Sequence, residues 1–284
     1  MSDVKTEPRP GASGIRSVKG TINYIKAMAE RPRFYANDHS RDVLDLDPRT
    51  VDISDARSWP TPPDLDREGF ALVSHRSAVA DFRDTSEVAR VHPAEIERLL
   101  LEVTGADRVV VNGSGVLRFG ESSPEAGKLN NSYPARFIHI DCSDKTAAQF
   151  SERSRPKDVE RPVRRVCHYN VWRVLSPPPQ DIPLTVCDAR SFTREDLVES
   201  DSIFDVKDQP EWSFESWLVK YSPRHRWVYF SDMSRDDALI FKTNDSDPAR
   251  AHNVPHSAFD DPSCPAGVPT RTSIEMRGVA YWFE

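Results

Sequence analysis

From Ala135 onward the hydrophobic positions fall in short runs separated by Pro, Asp, Asn and Ser. "ARFIHIDCS", "PVRRVCHYNVWRVL", "IPLTVCDAR", "HRWVYFSDM", "ALIFKTND" and "SIEMRGVAYWF" are rich in Val, Ile and aromatic residues. Six such runs at this spacing predict an antiparallel sandwich or barrel and disfavour a parallel sheet with crossover helices. "SFTREDLVESD" carries a helix-start signal, Thr193 with Asp196 three residues later, a capping box with Asp in the usual Glu place.

The first half is more mixed. Residues 1–15, rich in Pro, Gly, Ser and charge, are expected to be a flexible arm. From 16 to 66 the pattern predicts a wrapping segment with a short helix around "INYIKAMAE" and proline-punctuated extended stretches such as "SWPTPPDLD". "REGFALVSH" reads as a strand, and "HPAEIERLLLEVTGADRVVV" as a helix entering at Pro93, leaving at Gly105 and feeding a strand. The expected architecture is mainly β with flanking helices around a double-stranded β-helix, a jelly-roll or cupin-like core over residues 67–284. Residues 16–284 then make one domain.

A chain of 284 residues with 38% hydrophobic content can bury a full core. The net charge of −7, spread over interspersed acids and bases, argues against nucleic acid or an anionic membrane as partner and for a small molecule. Cys142, Cys167, Cys187 and Cys264 have no metal-binding or disulfide spacing, and the opening "MSDVKTEPRP" lacks the apolar stretch of a secretory signal, so a cytoplasmic protein with reduced thiols is expected.

Candidate chemistry centres on His139-x-Asp141. On a strand, residues two apart share a face with Cα atoms about 6.7 Å apart, so both side chains can converge on one ion. The pair is short: eight histidines and 28 aspartates place about one such match in the chain by composition alone. The C-terminal segment adds weight. It holds His252 and His256, either of which completes a 2-His-1-carboxylate set of the kind that binds non-haem Fe(II). Arg271 and Ser273 follow, two apart on a predicted strand, where a guanidinium fork and a hydroxyl can grip a carboxylate. Glu275 and Arg277 continue the same face.

Beyond these residues, the blocks "HYNVWRVLSPPPQDIPLTVCDARSF", "YSPRHRWVYFSDMSRDDALIFKTNDSD" and "HSAFDDP" with "PTRTSIEMR" resemble the secondary-metabolite hydroxylase/desaturase family of non-haem Fe(II)/2-oxoglutarate-dependent oxygenases, from about Gly20 to the C-terminus. The family includes gibberellin-desaturase-like, cephamycin-methoxylation and endoperoxide-forming proteins. The resemblance implies Fe(II) held by His139, Asp141 and His256, since His256 precedes the small-Ala-Phe-Asp run. It implies 2-oxoglutarate and O2 as co-substrates, with Arg271 and Ser273 on the distal carboxylate of 2-oxoglutarate. His252 is left as the rival ligand. Asn170 and Trp172, in "NVWR", are candidates to line the co-substrate or substrate pocket. His225 and Trp227 suit a packed strand, and Tyr133 falls where a lid would lie. The substrate is expected to be a small natural-product intermediate, oxidised at C–H by hydroxylation, desaturation or a related step. Two other classes stay open: a cupin-like metal enzyme without 2-oxoglutarate, and a non-catalytic half of a two-protein system. A homodimer is likewise left open.

Overall fold

Two sheets face one another. The computed structural model describes residues 14–284, so the arm expected over residues 1–15 lies outside the described residues except for its last two positions. The strands are β1 (Ser17–Ile25), β2 (Arg33–Tyr35), β3 (Leu46–Asp55), β4 (Phe70–Ser74), β5 (Arg108–Phe119), β6 (His139–Ile140) and β7 (Val163–Val174). There follow β8 (Leu184–Cys187), β9 (Leu197–Phe204), β10 (Trp212–Val219), β11 (Trp227–Tyr229), β12 (Asp237–Asp245), β13 (His256–Ala258) and β14 (Thr272–Phe283). The larger sheet runs β1-β3-β11-β8-β13-β6-β10-β9-β2, and the smaller runs β4-β12-β7-β14-β5. Among the described residues two α-helices, α1 (Thr85–Thr104) and α2 (Asp144–Ser154), lie outside the sheets. The expected β core with flanking helices is the observed architecture.

The three inner strands of the smaller sheet, β12, β7 and β14, are buried on both faces over most of their length, and they sort their residues accordingly. On β7, Cys167, Tyr169 and Val171 pack with Ile96, Leu99 and Leu100 of α1, whereas Trp172 and Val174 pack with Val186 and Val228 of the larger sheet. β12 alternates in the same way, Ala238 and Ile240 toward α1, Leu239 and Phe241 inward. Burying each of the three large α1 side chains contributes about 2 kcal/mol. α1 approaches β14 closely enough that a Cβ at Gly278 would meet Leu100 Cδ1.

Four local expectations need correction. "INYIKAMAE" is strand and loop: Ile22 and Tyr24 are buried in alternation with Thr21 and Asn23, and antiparallel pairing with β3 overrides helix propensity. α1 begins before Pro93, because Asp84 caps the amides of Ser86 and Glu87; it does end at Gly105, which takes the left-handed conformation at φ 64°. The Thr193–Asp196 capping box forms, with the Thr193 amide donating to Asp196 Oδ2 at 2.8 Å, yet it closes only one 3-10 turn before β9. Strand β6 is just His139–Ile140, so Asp141 lies one residue beyond it.

The wrapping segment supplies edges to the larger sheet. β1 and β3 form one edge, and β2 adds parallel to β9 at the other. The site side chains sit between the sheets. His256 and His139 are direct register partners across β13 and β6, and on the facing sheet Arg277 of β14 is register partner of Asn170 on β7.

Candidate metal centre

The donor atoms of His139, Asp141 and His256 lie within 4.8 Å of one another. Both imidazoles turn Nε2 toward the same carboxylate oxygen, Asp141 Oδ1, each at 3.4 Å. Their other nitrogens face carbonyls: His139 Nδ1 is 3.1 Å from the Phe137 oxygen and His256 Nδ1 3.2 Å from that of Val254. A carbonyl oxygen only accepts, so Nδ1 carries the proton and Nε2 keeps a free lone pair. Two rings fixed in that tautomer beside one carboxylate are a donor set for a divalent cation.

The second carboxylate oxygen is held separately. Asn170 Nδ2 donates to Asp141 Oδ2 at 2.9 Å, and Arg277 Nε lies 3.0 Å from the same atom as an ion pair. Arg277 Nη2 also donates to Glu275 Oε1 at 2.8 Å. Burial alone would raise the Asp141 pKa, but Arg277 and the two histidines hold it well below the usual carboxylate range. The His139 imidazole is pushed down by burial and by His256. Both shifts favour the forms that bind metal, an ionised carboxylate and a neutral ring.

His252 does not join this group. Its Nε2 lies 2.7 Å from Asp144 Oδ1, its Nδ1 2.7 Å from the Asp245 carbonyl, and Arg194 holds the other Asp144 oxygen. That cluster ties the start of α2 to the loop leading into β13.

Arg271 and Ser273 are fully buried. The Arg271 amide donates to Asp181 Oδ1 and its Nη1 to the Ile182 carbonyl, both at 2.9 Å, while Arg271 Nε and Ser273 Oγ have no hydrogen-bond partner among the described residues. No carboxylate lies within ion-pair distance of this guanidinium among the described residues. Burial, then Arg118 and Arg136, push its pKa down to about 9. A buried cation and hydroxyl with orphaned donors are what an anion would satisfy.

Of the pocket candidates, Asn170 is engaged with Asp141, and Trp172 packs among Val186, Phe241 and Val228, with the Arg271 guanidinium 5.8 Å over its ring. Trp227 Nε1 donates to the Tyr24 hydroxyl, which His225 also meets, so that pair is core. Tyr133 does line the pocket that reaches His139 and Asp141, a narrow cavity of about 70 Å3. Sequence reasoning missed Arg118, also on that wall and opposite Ser273 in the β5–β14 ladder, and left Arg277 undecided. Arg277 was signalled by sharing a strand face with Arg271, Ser273 and Glu275, whereas nothing in the sequence around Arg118 set it apart.

Residues 22–281 match a family described as an oxidoreductase/YMDC permease-like domain. The chain is 30% identical over 251 residues to the hydroxylase/desaturase CTB9 of Cercospora beticola, covering 82% of this chain and 76% of that one. The chain belongs to this family of oxidoreductases. Another relative of the family, the Fe(II)/2-oxoglutarate-dependent dioxygenase nvfI of Aspergillus novofumigatus, is 29% identical over 245 residues, covering 82% and 84% of the two chains. In fold, the chain matches the solved iron and alpha-ketoglutarate-dependent endoperoxidase NvfI with a TM-score of 0.79 at 24% identity, covering 94% of this chain and 99% of that one.

Proposed function

We propose that the protein is a non-haem Fe(II)/2-oxoglutarate-dependent oxygenase of secondary metabolism that oxidises a C–H bond of a small natural-product intermediate. The observation that carries this reading is the convergence of His139, Asp141 and His256, each ligand atom freed by a partner on its far side. Membership of the hydroxylase/desaturase family supports the reaction class.

His139 Nε2, His256 Nε2 and Asp141 Oδ1 would hold the metal, and Asn170 with Arg277 would keep Oδ1 pointing at it. Arg271 and Ser273 would take the distal carboxylate of 2-oxoglutarate, their orphaned donors fitting that anion. Bound together, Fe(II) and 2-oxoglutarate supply oxidative decarboxylation to succinate and carbon dioxide, with activation of O2 for C–H oxidation. The chain's own contribution is placement and exclusion of water: the ligand rings sit against Phe137 and Phe241, at centroid distances of 5.4 and 4.6 Å.

Residues 16–284 act as one domain in this reading, and the protein works in the cytoplasm. Free cysteines suit that compartment, and no described helix is long and apolar enough to cross a membrane. A complete ligand set favours an active enzyme over a non-catalytic partner. Purified protein with Fe(II), ascorbate and O2 should convert 2-oxoglutarate to succinate, and His256→Ala should not. Succinate formation that survives His256→Ala would refute the assignment.

A further inference from the structure

The mouth of the metal pocket differs from its floor. Phe34, Phe137, Phe204 and Phe214 line it, each only partly buried, in a protein whose other large apolar side chains are mostly hidden. Phe34 and Phe137 lie 4.7 Å apart, and Phe137 is 5.4 Å from the His139 ring. On the neighbouring strands of the same sheet Phe204 and Phe214 are 5.4 Å apart, and the half-exposed Trp212 stacks on Phe204 at 4.4 Å. Phe34 on β2 and Phe214 on β10 both pair in register with Ser202 of β9, so these rings make one aromatic wall, on the larger sheet, that runs from solvent to His139 and Asp141. Clustered exposed aromatics of this kind mark a binding surface.

Besides His139, three cationic or titratable bases touch the same pocket, and two are already neutralised. Arg277 is paired with Asp141 and Glu275, and His39 with Asp42. Arg118 has no carboxylate within ion-pair distance among the described residues. Its Nη1 donates to the Asn131 carbonyl, Asn131 Oδ1 and the Tyr133 carbonyl at 3.1, 2.9 and 2.8 Å. Those acceptors are neutral, and its Nε and Nη2 make no hydrogen bond among the described residues. Burial disfavours its charged form, and Glu275 only partly offsets that. An anion delivered along the aromatic wall would satisfy it.

We propose that the substrate is a ring-containing, largely apolar acid, whose skeleton lies along the wall of Phe34, Phe137, Phe204 and Phe214 and whose carboxylate pairs with Arg118 on the other sheet. This rests on the oxygenase reading above, because it takes the triad as the reacting centre. Arg271 and Ser273 remain the co-substrate's clamp, so the two anions have separate cations.

The probes are 2-naphthoate and its neutral analogue 2-naphthamide, dialysed to equilibrium against the full chain with and without Fe(II) and 2-oxoglutarate under anaerobic conditions. The acid should bind about 10- to 100-fold more tightly than the amide, the worth of one charge-assisted pair. Arg118→Gln should abolish that preference while leaving amide binding intact, Arg118→Lys should keep most of it, and Phe204→Ala should weaken both probes alike. Arg118→Gln should also leave the visible charge-transfer band of the Fe(II)–2-oxoglutarate complex unchanged. Equal binding of acid and amide to the unaltered protein would overturn the proposal. So would loss of the band in Arg118→Gln, which would make Arg118 part of the co-substrate site. An Arg118-dependent acid preference in a protein that shows no band would retain the acid site and sink the oxygenase reading.

Discussion

Asn170 Nδ2 donates to Asp141 Oδ2 at 2.9 Å, from the opposite sheet, and so fixes which oxygen of the carboxylate faces the two histidines. With Arg277 on the same oxygen, Oδ1 is left free for a metal. Asn170→Ala should therefore weaken Fe(II) binding about 10- to 100-fold, as loss of such an orienting partner does elsewhere. Anaerobic calorimetric titration measures it, and unchanged affinity would show that Arg277 alone orients Asp141.

The two C-terminal histidines should separate cleanly. His256→Ala removes one of three donors and should abolish tight metal binding. His252→Ala breaks the contacts with Asp144 and the Asp245 carbonyl and should leave metal affinity within a fewfold while lowering thermal stability. The reverse pattern would move the ligand role to His252.

Arg271→Met should raise the 2-oxoglutarate concentration needed for half-maximal turnover by about 10- to 100-fold, the loss of a charge-assisted hydrogen bond to a carboxylate. Ser273→Ala should cost less, since a neutral hydroxyl contributes about 1 kcal/mol. Steady-state kinetics with 2-oxoglutarate as the varied substrate check both.

His92 gives a pH dependence unrelated to the metal. Both its ring nitrogens are buried without a partner, its ring meets Phe82 edge-on at 5.1 Å, and burial, then Arg173, push its pKa down to about 4. The unfolded chain takes up this proton near pH 6.5 and the folded protein only near 4, so the stability is whole above 6.5 and lost as pH falls toward 4. The loss reaches about 3 kcal/mol at pH 4. His92→Leu should flatten that part of the urea-midpoint profile; an unchanged slope would assign the acid sensitivity to other groups such as His168.

Much of this could be read from sequence where period-two runs are long and buried, as on β7, β12 and β14. Elements set by distant partners were less legible. Ile22–Ile25 is strand because β3 lies beside it, and Leu197–Phe204 follows a capping box that stops after one turn because β10 pairs with what comes next. His139, Asp141 and His256, the proposed ligands, stood out because metal chemistry restricts residue type and spacing. Arg118, Arg277 and the role of Asn170 were not, since an isolated arginine or asparagine in a strand shows its partner only when strands are brought face to face.

His139, Asp141 and His256 are proposed to hold Fe(II) with 2-oxoglutarate beside it. Anaerobic addition of 2-oxoglutarate to the Fe(II)-loaded protein tests it most directly by absorbance. A visible metal-to-ligand charge-transfer band should appear, saturate at one equivalent, be absent in His139→Ala and need far more 2-oxoglutarate in Arg271→Met. No band in the unaltered protein, or a band that persists in His139→Ala, would contradict it.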